Sequence, residues 1–207
     1  MKTKSIIYVV DDNPSVCRSL SLLLKSHGFR SESFNSAADF LAFKHPKLPS
    51  CLVSDIQMPD MGGLELQEAM TLRELPIPIV FITGHGNIPM SVKGMKAGAI
   101  DFLPKPFTDK KLLEAIAAAI SKSKVLNKEF AEIAKIKRCL KTLSPRELEV
   151  FRLVAEGMLS KQIAYKRGTS LQTIKVHRGR VMQKMQAKTV TELIHFAQKA
   201  GITSSKS

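Results

Sequence analysis

Five short apolar runs, each followed by a turn and a helix-like stretch, fill the first ~120 residues and leave few folds open. They are Ile6–Val10, the partly polar stretch Phe29–Phe34, Cys51–Ser54, Ile79–Ile82 and Ile100–Pro104. Runs of this length bounded by turn residues read as buried strands. Five successive βα units imply parallel strands with right-handed crossovers and helices on both faces of the sheet. The expected fold is therefore a five-stranded, parallel, doubly wound α/β domain. Asp11-Asp12, Asp55, Thr83 and Lys105 each directly follow one of the apolar runs. That puts them at the carboxyl ends of strands, where open α/β sheets bind ligands.

The intervening segments carry helix signals. Asn13-Pro14 offers a cap followed by Pro at the first helical position, with Leu20, Leu23 and Leu24 on one face and His27-Gly28 as the stop. Ser36 opens a helix carrying Phe40, Leu41 and Phe43. Met58-Pro59-Asp60-Met61-Gly62-Gly63 is a turn-rich loop before a helix over 64–72. Gly84-His85-Gly86 precedes a helix from about Ile88 to Ala97, and Thr108 caps the next. Residues 121–141 hold no Pro or Gly and read as a linker helix, either separate from the preceding helix or continuous with it.

The last ~65 residues change character. Residues 1–124 hold 15 Lys/Arg against 12 Asp/Glu, whereas residues 125–207 hold 17 against 6, a net charge of +11 out of +14. This asymmetry suggests an acidic polymer as partner, nucleic acid before membrane. Ser144-Pro145-Arg146-Glu147 and Thr189-Val190-Thr191-Glu192 are capping boxes. Between them a short helix from Ser160, a turn at Gly168 and a basic helix capped by Ser170 form a helix-turn-helix pattern. The expected division is 1–121 for the α/β domain, 122–142 for the linker and 143–207 for a small all-helical domain.

No apolar run approaches the ~20 residues of a membrane span. Met1-Lys2-Thr3-Lys4 lacks the apolar region of a signal peptide. Cys17, Cys51 and Cys139 are odd in number and far apart, which suggests free thiols in a reducing cytoplasm.

Clustered carboxylates repel one another, so Asp11, Asp12 and Asp55 together call for a divalent cation. Oxygen-only ligation with one or two carboxylates suits Mg²⁺. A carboxylate can also accept a phosphoryl group, whose charge then needs a cation and donors such as Lys105 and Thr83. The residues thus fit phosphoryl transfer, with Gly84 and Gly86 leaving room for the group. A turnover enzyme of the haloacid dehalogenase type requires a second Asp two positions after the nucleophile, and Gln57 stands there. Neither a dinucleotide-binding glycine loop nor a Walker lysine motif is present.

Val9-Val10-Asp11-Asp12, the stretch from Asp55 to Gly63, Phe81-Ile82-Thr83-Gly84 and the stretch from Asp101 to Phe107 resemble the receiver domain of two-component response regulators. That resemblance implies phosphorylation of Asp55 by a sensor histidine kinase. It implies direct Mg²⁺ binding by Asp12, Asp55 and the Gln57 carbonyl, with Asp11 acting through water. It also implies a switch pair of Thr83 and Phe102, a phosphate-pairing Lys105 and a cis Lys105–Pro106 bond. Phe102 replaces the Tyr that many members carry. Residues 143–202 resemble the LuxR-type helix-turn-helix of NarL/FixJ regulators, through Leu143–Glu147, Gly157, Lys161–Ala164, Thr173–Arg178 and Lys184. Pro89–Lys93 and Met95–Ala99 lean towards the FixJ branch.

In that family the recognition helix enters the major groove of double-stranded DNA. Lys175 and Val176 are the expected base contacts, Val176 suiting a thymine methyl. Thr173, His177, Arg178 and Arg180 are expected nearer the backbone, and Lys184 offers charge for phosphate. Phosphorylation would promote a homodimer, free the DNA-binding domain, or both. The chain departs from the family at Arg167 and Thr169, where apolar residues usually pack the two motif helices. It departs again at Gly179, where family members commonly carry a longer, often basic, side chain that reaches DNA, and Gly within a helix costs about 1 kcal/mol relative to Ala. The alternative is a receiver that signals through protein contacts, its DNA-binding half weakened.

Overall fold

The computed structural model describes residues 5–84 and 88–202. It divides into two compact units, one up to Lys128 and one from Glu129 onward. His85 and Gly86, and the opening Met1–Lys4, lie outside the described residues.

In the first unit β1 (Ile6–Val10), β2 (Arg30–Phe34), β3 (Ser50–Asp55), β4 (Ile79–Thr83) and β5 (Asp101–Pro104) form one sheet. Its order is β2-β1-β3-β4-β5 and every pairing is parallel. The period-two alternation of strands divides the apolar residues between two cores. Ile7, Val9, Cys51, Val53, Val80 and Ile82 meet Leu20 and Leu24 of α1 (Pro14–Ser26) and Leu112 and Ile116 of α5 (Asp109–Leu140). Ile6, Tyr8, Val10, Leu52, Ile79 and Phe81 meet Phe40 of α2 (Ala37–Ala42) and Leu66 and Met70 of α3 (Gly63–Leu72). Gly94 of α4 (Ile88–Lys96) is buried, and the buried Gln67 of α3 donates its amide to the Gly94 carbonyl at 3.2 Å.

The helix stops are local. Asn13 caps α1 by accepting from the Ser15 N–H, and Gly28 follows at φ 78°. Phe43 stands beyond α2 as its extended C-cap rather than inside it. Of the two readings of the stretch after residue 121, the continuous one holds: α5 runs without a break from Asp109 to Leu140, and the division between the units falls inside it.

The second unit is helical. The last part of α5 is followed by α6 (Pro145–Ala155), α7 (Ser160–Lys166), α8 (Leu171–Met185) and α9 (Val190–Lys199). Ile136, Val150, Phe151, Val154, Ile163, Ile174, Val181, Met185 and Leu193 fill its core. Ser144 and Glu147 complete their capping box. The box expected at α9 is only half made. Thr189 accepts from the Glu192 N–H, but the Glu192 carboxylate accepts from Lys188 N–H one residue further back. Cys17 and Cys51 are free and buried, and Cys139 is free and partly buried.

Candidate phosphoacceptor site and nucleic-acid interface

The sheet order β2-β1-β3-β4-β5 reverses direction between β1 and β3, and a ligand crevice in such sheets opens at that point. The register brings Val10 level with Ser54, Asp55 with Ile82, and Thr83 with Pro104. Asp11, just past β1, and Asp55, the last residue of β3, thus share the crevice with Thr83 and Lys105 from neighbouring strand ends.

The Lys105 ammonium joins the two carboxylates. Its Nζ donates to Asp11 Oδ2 at 3.1 Å and to Asp55 Oδ1 at 3.0 Å. The remaining oxygens take backbone donors: Asn13 N–H to Asp11 Oδ1, and Gln57 N–H to Asp55 Oδ2, each at 3.0 Å. Asp11 is 2 % exposed and Asp55 7 %. Burial pushes the Asp55 carboxyl above its ordinary range, although Lys105 pulls the other way. Burial alone would lower the Lys105 ammonium, but its hydrogen bonds to Asp55 and Asp11 outweigh that and raise it. One cation thus faces two buried carboxylates, and the site retains negative charge.

Asp12 is exposed at the edge of the crevice, and Thr83 is buried at the end of β4. Phe102 is half-buried, its ring 6.2 Å from that of Phe81. The Lys105–Pro106 bond is cis. Gly63 also shapes the site, which sequence reasoning passed over. A β-carbon there would meet the Asp55 carbonyl oxygen at 2.5 Å. The Gly62-Gly63 pair was the available signal, since adjacent glycines mark close backbone approach.

The donors fit Mg²⁺ in kind, all being oxygen. Among the described residues, no group of three His, Cys, Asp or Glu side chains is gathered tightly enough to hold a metal by itself. An ion that keeps several waters and takes few carboxylates matches such an open set.

In the second unit, Thr173, Lys175, Val176 and Arg180 are exposed along α8, whereas His177 and Arg178 are half-buried. Thr173 shares a 2.8 Å hydroxyl contact with Ser170 in the helix cap. His177 Nδ1 is buried without a hydrogen-bond partner, so that ring edge faces protein rather than solvent. Arg178 donates to Ser160 Oγ at 3.0 Å and ties α8 to the start of α7.

Lys184, expected to offer charge for phosphate, is exposed and is also engaged within the unit. Its ammonium donates to Glu147 Oε2 at 2.6 Å and to the Thr142 carbonyl at 3.1 Å. Glu147 is 3 % exposed, and the Lys184 and Ser144 hydrogen bonds bring its carboxyl down to about 2. Arg167, where apolar packing is usual, pairs with Glu149 Oε1 of α6 at 2.8 Å.

Comparison with known proteins agrees with this two-part arrangement. Residues 7–117 match the family described as "Response regulator receiver domain", and residues 141–197 match "Bacterial regulatory proteins, luxR family". The chain therefore belongs to the response regulators that join a receiver domain to a LuxR-type DNA-binding domain, and it is a transcriptional regulator of that family. It is 43% identical over 201 residues to "Nodulation protein W" of Bradyrhizobium diazoefficiens, covering 97% of this chain and 88% of that protein. It is 41% identical over 202 residues to "Transcriptional regulatory protein FixJ" of the same organism, covering 98% of each. Among solved structures, the response regulator StyR is similar at a TM-score of 0.75 and 42% identity, over 95% of this chain and 99% of that one. Among the described residues no helix is long and apolar enough to cross a membrane.

Proposed function

We propose that Asp55 is the phosphoacceptor of this regulator and that its phosphorylation controls DNA binding by α8. The observation that carries this reading is the Lys105 ammonium held between Asp11 and Asp55 at a strand-end crevice. The donor is a phosphohistidine of a sensor histidine kinase. One Asp55 carboxylate oxygen attacks phosphorus, the phosphorus–nitrogen bond breaks, and the imidazole leaves with the electron pair. Buried beside Asp11, the Asp55 carboxylate needs cationic help to admit a second anion, and Lys105 is already in place to pair with the phosphoryl oxygens.

Asp12, Asp55 and the Gln57 carbonyl would hold Mg²⁺, with Asp11 acting through water. When bound, the ion supplies charge neutralisation for the phosphoryl oxygens. Thr83 then contributes a hydroxyl, and Phe102 moves with it as the switch pair. Gln57, in place of a second acid–base Asp, supports a role as acceptor rather than as a turnover enzyme. Phosphorylation favours the homodimer, which occupies paired half-sites on double-stranded DNA in the cytoplasm. Residues 122–142 connect the input and output parts. Exposed Lys175, Val176, Arg180 and Thr173 form the DNA face, with His177 and Arg178 set further back. The alternative of a weakened DNA-binding half loses force at Arg167, because its pair with Glu149 ties the end of α7 to α6.

The test is labelling by a small phosphodonor with Mg²⁺, followed by footprinting on promoter DNA across a salt series. Labelling should vanish in Asp55→Asn or on chelation, and protection should weaken steeply as salt rises. Normal labelling of Asp55→Asn would remove the site assignment, and no protected sequence in the labelled state would remove the DNA reading.

A further inference from the structure

Five rings meet where the chain passes from α2 to β3. Tyr8 of β1 lies 5.6 Å from Phe40 and 6.1 Å from Phe43, centre to centre. Phe34 of β2 lies 5.6 and 5.3 Å from the same two rings. His45 is the fifth, 5.0 Å from Tyr8, 4.6 Å from Phe40 and 5.4 Å from Phe43. Most of these contacts are edge-on, the arrangement that sets a ring edge against a ring face. The imidazole is the one member of the group that titrates near neutral pH.

Its hydrogen bonding decides which form fits. A carbonyl only accepts, so the 3.0 Å contact of His45 Nε2 with the Phe40 carbonyl makes Nε2 the donor. Nδ1 then carries the lone pair, and it is buried with no hydrogen-bond partner among the described residues. The Tyr8 hydroxyl, fully buried in the same cluster, has none either. A proton can enter only at Nδ1, where the new N–H meets no acceptor, and such a buried donor is costly.

The new charge would also lack a counter-ion. On β1 the only titratable group is the Tyr8 phenol, which burial pushes up to about 12. Glu32 of β2 is paired with Arg30 at 3.0 Å, and Asp39 of α2 accepts from the Ser36 hydroxyl at 2.7 Å. Arg73 of α3, bound to the Leu41 carbonyl, is itself a cation. So are the exposed Lys44 and Lys47 that flank the ring in sequence. Burial accordingly holds His45 below its ordinary 6.5, against a smaller opposing effect of the Phe40 hydrogen bond.

We infer that His45 is an acid-sensitive catch at the entry to β3. Neutral, it holds the segment between α2 and β3 on the ring cluster; protonated, it releases that segment. The released segment returns His45 to its ordinary 6.5, whereas the held one keeps it lower. Holding is therefore complete above about 6.5. Below that, the released population grows by up to about tenfold per pH unit, until the held form also takes the proton.

The test is amide hydrogen exchange of the full chain between about pH 7.5 and about pH 5, corrected for the intrinsic pH dependence of exchange. The Phe43 N–H, bound to the Asp39 and Phe40 carbonyls at 3.1 and 3.2 Å, reports on the segment. Its protection should fall as pH drops below about 6.5, while the amides of β4 keep theirs. His45→Phe keeps a ring in the cluster and should hold Phe43 protection level across the range. His45→Gln cannot titrate either, so its profile should also be level, even where lost packing lowers it throughout. A wild-type profile with no fall, a parallel loss at β4, or a fall retained in either variant overturns the inference.

Discussion

Gly63 is packed against Asp55 so closely that a β-carbon would stand 2.5 Å from the Asp55 carbonyl oxygen and 3.0 Å from the Phe81 ring. The same residue donates its N–H to the Ile56 carbonyl at 2.9 Å, while the Ile56 N–H donates to Ile82 at 3.2 Å. The first turn of α3 is thus clamped onto the end of β3. Lys105 and Gln57 then fix the Asp55 carboxylate from its two sides. The acceptor is held by backbone packing beneath it and charge above it.

Gly63→Ala tests the clamp. Overpacking a tight site costs about 1–3 kcal/mol, and here the obstructing atom belongs to backbone that cannot rotate away. The variant should unfold at lower temperature and accept phosphate from a small donor more slowly, because relief requires Asp55 to move. A labelling rate equal to wild type, with the stability loss present, would show that the carboxylate is positioned independently of this contact.

The charge balance gives a prediction with a sign. Burial raises the Asp55 carboxyl above the unperturbed 3.8, so the folded protein binds a proton more readily there than the unfolded chain. Stability therefore falls as pH rises from 3.8 through the raised folded value. Asp55→Asn should be more stable than wild type at neutral pH, and the difference should close as pH falls below about 3.8. Lys105→Met works the opposite way, leaving Asp11 and Asp55 without their shared cation. Its loss should be about 2 kcal/mol, under the ~3–5 kcal/mol of a fully buried pair because the ammonium retains some solvent. Denaturant unfolding of both variants at two pH values measures this, and a Lys105→Met protein as stable as wild type would refute the account.

What could be read from the chain alone was what local pattern determines. The alternation in Ile6–Val10 and Ile79–Thr83 sorts side chains onto the two faces of the sheet, and turn residues end each strand beside Asp11, Asp55 and Thr83. Contacts between elements were not legible. Arg167 read as a lost packing position because its partner, Glu149, lies on another helix. Lys184 read as an outward charge on a basic helix because nothing near it in sequence marks Glu147 as its partner. That residues 121–141 are helical was legible from their lack of Pro and Gly, but their continuity with the helix before them was left open by periodicity, and α5 runs through them as one helix.

Arg167 and Glu149 are both partly open to solvent, which bounds what their pair can do. Exposed ion pairs contribute about 0–1 kcal/mol and weaken with salt. Arg167→Ala should therefore lower the stability of the helical unit by under ~1 kcal/mol, and less in high salt. A larger loss that salt does not change would mean that the arginine stem, not its charge, holds α7 to α6.

Glu147 and Lys184 should behave differently, because Glu147 is buried and does two jobs at once. Its carboxylate closes the Ser144 capping box and accepts from Lys184 at 2.6 Å. The folded value of about 2 lies below the ordinary 4.5, so the ionised form supports folding. That support is complete above about 4.5 and is lost as pH falls towards 2. Glu147→Gln should destabilise the helical unit at neutral pH and flatten its acid dependence over this window. Ser144→Ala, which removes only the cap, should cost about 1 kcal/mol. Lys184→Met should match the Glu147→Gln loss in stability. Its DNA binding should keep the wild-type salt slope, because the Lys184 charge faces Glu147 rather than phosphate, whereas Lys175→Met should shallow that slope by about one. A salt slope reduced equally by Lys184→Met would return this lysine to the DNA face.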